Sequence, residues 1–412
     1  PRDLGGGRGN GPAIAGRCFI DYDSRGLAWV RMRAINKSGR RDTMVVKKWG
    51  SELIDADDLS NAMDILWEKG WTDGLPVVPP TEMRVAEFLD YVGLEPDEVV
   101  CRIADRNRVI TAEKVAINAV MAGCLPEYFP VVLAAVECLG TDEFKINHIA
   151  STGSLWIMMV VNGPIVKQIG LNAGMYCFGA GTRANCTISR AISLLLANCA
   201  EAKMGGIQRG EWGYSGRFNC CVGENEDVEW GPTLAEMQGY DSVTSTVTIK
   251  EVPEGRTQIR CNFTTAEGLL KTMAGFWPHV GGKDLLFIPP QYVDVFKKAG
   301  VSREDVRQYL RENICHSVAE LKRRGAYHDL NSGKLSGVMP EVEPGDEKKM
   351  VYPFSGKGQD AQQLGGLGPQ EAVQVRQPDI IPIVAGGDAG LMVYVVPGTD
   401  DWPFITRPIK TR

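Results

Sequence analysis

The stretch that most constrains this chain is Leu155 to Val161, an unbroken apolar run closed by Asn162-Gly163-Pro164. It is too short to stand as a helix and too uniformly apolar for a half-exposed strand, so it reads as a strand buried on both faces. The segments before it, Thr111–Ala122 and Pro126–Leu139, are rich in Ala, Val and Met and are separated by Gly123-Cys124-Leu125-Pro126. That predicts two buried helices. A buried strand that ends in a glycine turn and feeds another element predicts an α/β (or α+β) fold: a mixed, layered sheet with packed helices. At 412 residues the chain can form one large domain or two intimately packed ones.

Elsewhere the signals are local. Phe19–Ala34 alternates like a hairpin turning at Asp23-Ser24-Arg25-Gly26, behind a glycine-rich arm over residues 1–16. Asp57–Gly70 has a helical apolar face, and Thr81 reads as the N-cap of a helix to about Tyr91. Between them, Trp71 to Thr81 holds three prolines and a glycine, which makes it a stiff connector that could hold Asp73 at a pocket rim. Val243–Lys250 and Thr257–Phe263 alternate as strands. Thr265–Ala274, Pro290–Ala299 and Ser302–Glu312 read as helices, the last with a capping-box start. Ile380–Val384 and Leu391–Val396 read as strands around a glycine turn. The expected division is an N-terminal arm and hairpin (1–55), a core α/β domain carrying the site (56–285), and a C-terminal part (286–412). The last part contains helices, a long surface loop over 331–378 that could meet a partner subunit, and closing strands. On that basis we expect a homo-oligomer.

Composition removes several function classes. Acids and bases are interspersed with a net charge of −6, which offers no basic surface for a nucleic acid. No apolar run approaches about eighteen residues, so no membrane-spanning helix is expected. The first residues lack the apolar core of a secretory signal. The eleven cysteines are odd in number and scattered, which fits reduced thiols in a cytoplasmic protein, and no CxxC occurs.

Two pieces concentrate the chemistry. The first is Cys177-Phe178-Gly179-Ala180-Gly181-Thr182-Arg183-Ala184-Asn185-Cys186, leading into a helical run from Thr187 to Ala200. Thr182 or Asn185 can cap that helix, and its N-terminus together with the planar fork of Arg183 would hold an anion. The second is Cys220-Cys221-Val222-Gly223-Glu224-Asn225-Glu226. On an extended segment Glu224 and Glu226 point to one side. There a shared proton, Arg183 or a divalent cation must relieve them. Cys221 is a candidate nucleophile or ligand, and His148, in a small polar segment before the buried strand, a candidate proton carrier or third metal ligand. Asn162, at the end of that strand, is a candidate substrate contact. The plain alternatives are helix capping for the first piece and a solvated acidic loop for the second.

The strings Trp71 to Thr81, Ala116 to Pro126, Val161-Asn162-Gly163-Pro164-Ile165, Arg183 to Ile188 and Glu224-Asn225-Glu226 together resemble a family of proteins associated with selenoproteins carrying a Sec-Gly-Ser-Cys motif. The resemblance covers roughly residues 60 to 250. It implies a thiol-linked or redox setting, although this chain has no Cys-Gly-Ser-Cys of its own. Two readings follow. One is an enzyme acting on a small, anionic organic substrate by thiol and carboxylate acid–base chemistry, of lyase or hydrolase type, with a divalent metal as an optional cofactor. The other is a thiol-dependent redox subunit or partner of a thiol oxidoreductase system.

Overall fold

The computed structural model describes residues 28–32, 49–144, 146, 154–206, 208, 210, 213, 218–253, 257–278, 282–324, 341–352, 379–388, 390, 392–398 and 403–411. The glycine-rich arm, most of the expected 19–34 hairpin and His148 lie outside these residues.

The first elements are strands β1 (Ala28–Met32) and β2 (Glu52–Ala56), which pair in parallel. Helices α1 (Leu59–Glu68) and α2 (Glu82–Val92) follow. The Thr81 hydroxyl accepts from Arg84 N and starts α2 as its position in the sequence suggests. The antiparallel pair β3 (Val99–Ile103) and β4 (Arg108–Thr111) leads into α3 (Ala112–Ala122) and α4 (Phe129–Leu139). Nearly every side chain of these two helices is buried. Strand β5 (Trp156–Asn162) is buried along its whole length. It is followed by α5 (Ile165–Gln168), α6 (Arg183–Cys199), β6 (Cys221–Gly223), α7 (Leu234–Met237) and β7 (Thr246–Val252).

The second part begins with β8 (Thr257–Arg260), α8 (Ala266–Gly275), β9 (Lys283–Ile288), α9 (Pro290–Lys298) and α10 (Arg303–Asn313). A small pair of strands, β10 (His316–Ser317) and β11 (Met350–Val351), flanks α11 (Val318–Arg323). Asp346 lies fully buried against Lys322 at 2.8 Å, so this part of the expected surface loop is docked rather than free. Strands β12 (Asp379–Val384), β13 (Met392–Val396) and β14 (Ile405–Pro408) close the chain. The last of these carries no signal read above. The boundary expected at residue 285 falls inside β9.

Two four-stranded mixed sheets result, β14-β7-β5-β6 and β12-β9-β13-β8. They repeat one plan. In each, a central strand (β5 or β9) has a parallel neighbour reached through helices (β6 or β12) and an antiparallel one on its other side (β7 or β13). The register repeats too. Val161 faces Gly223 and Glu224 N donates to Val161 O at 3.0 Å, while Ile288 faces Val384 and Ala385 N donates to Ile288 O at 3.1 Å. The outer strands are exchanged: β7 runs on into β8 of the second sheet, and β13 runs on to β14, which pairs with β7 of the first.

Side-chain alternation assigns the faces of the second sheet. Leu285, Phe287, Ile381, Ile383 and Val396 join the core built on β5, α3, α4 and α6. Leu286, Ile288, Ile380, Val384, Val393 and Val395 join a second core with residues of α8, α9 and α10. The C-terminal ends of the parallel pairs, the usual place for a crevice in such sheets, lie at Asn162 and Gly223 in the first sheet and at Ile288 and Val384 in the second.

Candidate functional site

The site is built where β5 and β6 end. Asn162 is fully buried, and its amide nitrogen donates to both carboxylates, at 2.7 Å to Glu224 Oε2 and 2.8 Å to Glu226 Oε1. Gly163 N donates to the same Glu226 oxygen at 2.8 Å. Only glycine serves here: φ is +87°, and a Cβ would sit 2.7 Å from Ser245 Cα. The sequence expectation that Glu224 and Glu226 share a side is met through one shared donor.

The two acids have different fates. Glu224 is buried, and Arg303 of α10 donates to its Oε1 at 2.6 Å while Leu234 N donates to Oε2 at 2.9 Å. Arg303 is itself buried, bonded to the carbonyls of Trp230 and Pro382, with its guanidinium 5.7 Å from the Trp230 ring centre. The charge that relieves Glu224 is therefore Arg303, not Arg183. Glu224 is a positioning residue with both oxygens engaged. Glu226 keeps one oxygen fixed and the other without a partner among the described residues. It lines a cleft of about 820 Å³ together with Asn172, Thr182, Asn225 and the ion-paired Lys167 and Asp227.

The other expected residues divide. Thr182 is the N-cap of α6, makes no side-chain cap bond and lines the cleft. Arg183 is exposed, with Nε bonded to Gly123 O at 3.0 Å, and is not among the cleft residues. The anion fork expected of it is thus tied to the turn between α3 and α4. Asn185 is buried and structural: it exchanges two bonds with the backbone of Asn172 and also reaches Cys177 O and Cys221 O. Asp73 forms a two-pronged ion pair with Arg190, both contacts 2.8 Å, which clamps the proline-rich connector to the middle of α6. That is a packing role.

Cys221 departs furthest from expectation. It is fully buried on β6, and burial raises its thiol well above the ordinary range. A nucleophile needs the opposite setting. Its neighbour Cys220 is equally buried, with its backbone N–H held by the Ser189 hydroxyl at 2.8 Å. The Cys-Cys pair is explained as strand core. Among the described cysteines only Cys186 and Cys315 are partly exposed.

The donor set does not suit a divalent cation. Both Glu224 oxygens are occupied, one by a cation already, and among the described residues no three His, Cys, Asp or Glu side chains come together. Sequence reasoning missed Arg303 and Asn225. The first sits behind an ordinary capping box, and the only signal for the second was its place between two acids.

Comparison with protein-family models, curated proteins and solved structures returns no match to this chain. Among the described residues no helix is long and apolar enough to cross a membrane.

Proposed function

We propose that this chain is an enzyme of lyase or hydrolase type that moves a proton on a small organic substrate bearing an anionic group, with Glu226 as the acid–base residue. The reading rests on one observation: the Asn162 amide holds two carboxylates, of which one is neutralised by a buried arginine and the other opens to a cleft. Fixing one oxygen of Glu226 through Asn162 and Gly163 N orients the other toward bound substrate, which is what general acid–base catalysis needs. The start of α6, where Thr182 lines the cleft, and Lys167 supply attraction for the anionic group. Proton abstraction beside a carboxylate, followed by elimination or readdition, uses this arrangement fully. The resemblance to the selenoprotein-associated family supports the same loops as functional. Its thiol aspect finds less support, since Cys186 is the only described thiol near the site that is partly exposed.

The test is solvent exchange. A panel of small hydroxy- and amino-carboxylates is incubated with the protein in D2O and followed by NMR. Deuterium should enter beside the carboxylate of at least one member, and Glu226→Gln should abolish it while Arg183→Lys retains it. Exchange that survives in Glu226→Gln overturns the assignment.

A further inference from the structure

The repeated plan of the two sheets points to a second site. At the ends of β9 and β12, in the place that corresponds to the Glu226 cleft, lies a separate cavity of about 550 Å³. The register carries Glu224 onto Ala385 and Asn162 onto Pro289, so both anchors of the carboxylate machinery are missing from this half. The cavity is walled instead by an aromatic corner. Phe178, from the loop before α6, stands 5.0 Å from Phe287 of β9 and 5.0 Å from Tyr394 of β13, ring centre to ring centre. No charged side chain is among the described residues that line this cavity, whereas Lys167, Glu224, Glu226 and Asp227 line the first.

The wall is built rather than incidental. The Gln291 amide, oriented by its neighbours, donates to Gly387 O and accepts from Gly390 N, both at 2.9 Å, which fixes the glycine turn after β12. Gly387 lies flat against Met175, where a Cβ would come within 2.7 Å of the methionine Cβ. Met175 and Met392 stay 61% and 42% exposed at the mouth, a position that leaves apolar surface for a ligand to cover.

We propose that this cavity binds an uncharged, flat aromatic molecule of about two fused rings, with one hydrogen-bonding group within reach of the Gln258 amide. An aromatic corner provides offset and edge contacts to a ring. A charged ligand would lose its hydration here with no partner to replace it. The inference is independent of the acid–base reading of Glu226, because the two cavities share no lining residue among those described.

The probe is N-phenyl-1-naphthylamine, neutral at pH 7, whose emission rises and shifts to the blue in an apolar site. Titration of the intact protein should show saturable binding of one equivalent. Met392→Glu and Met175→Glu, both at exposed positions, should each weaken it at least tenfold. Met83→Glu, at an exposed position on α2, and Glu226→Gln should leave it unchanged. Absence of saturable binding, or equal binding by parent, Met392→Glu and Met175→Glu, overturns the proposal.

Discussion

Arg303 and Glu224 are 79 residues apart in the chain and 2.6 Å apart in the fold, and together they join the second half of the molecule to the floor of the first half's cleft. Both side chains are buried, so neither charge has water as an alternative partner. Removing one strands the other. Arg303→Met should lower unfolding stability by about 3–5 kcal/mol in urea titration. Replacing both, as Glu224→Gln with Arg303→Met, should recover part of that loss.

Gly163 offers a sharper test of the site's geometry. Its left-handed backbone and its closeness to Ser245 leave no room for a methyl group. Gly163→Ala should destabilise by about 1–3 kcal/mol. It should also reduce kcat more than it raises KM, because the displaced N–H no longer orients Glu226.

Glu251 governs a pH dependence. It is fully buried on β7, neither of its oxygens has a partner among the described residues, and burial pushes its carboxyl up to about 8, with Lys250 opposing that rise. The folded state therefore holds a proton that the unfolded chain releases above about 4.3. Stability contributed by this group falls as pH rises from about 4.3 toward 8, because the folded state then binds more protons than the unfolded one. Glu251→Gln should stabilise the protein at pH 7 by about 3 kcal/mol and flatten that part of the stability–pH curve.

Thiol labelling distinguishes the cysteines. Iodoacetamide at pH 7.5, followed by peptide mass spectrometry, should modify Cys186 and Cys315 and leave Cys220 and Cys221 untouched until the protein unfolds. Rapid labelling of Cys221 in the native protein would restore it as a nucleophile.

What the sequence revealed follows from the range of each interaction. Helix starts at Thr81 and Ser302 and the buried strand Trp156–Asn162 were legible because caps and apolar runs are local signals. The shared side of Glu224 and Glu226 was legible for the same reason, being a matter of two-residue spacing. Arg303 was not, because its partner is fixed only once α10 packs beside β12. Cys221 misled because a Cys-Cys pair beside acids looks reactive in one dimension, while its burial on β6 is a property of the sheet. Val243–Lys250 and Thr257–Phe263 both read as strands, but nothing local tells that the fold sends them to different sheets.

That exchange of outer strands sets an order on synthesis. The first sheet borrows its edge, Ile405–Pro408, from beyond the end of the second half. While a ribosome is still making β9 to β13, strand β7 stands at an open margin with unsatisfied backbone groups, the kind of edge that recruits other chains. The first half therefore cannot mature as an autonomous unit during translation. A nascent chain halted just short of Ile405 should be captured by chaperones or aggregate, and the protein should reach its native state only after these late residues emerge.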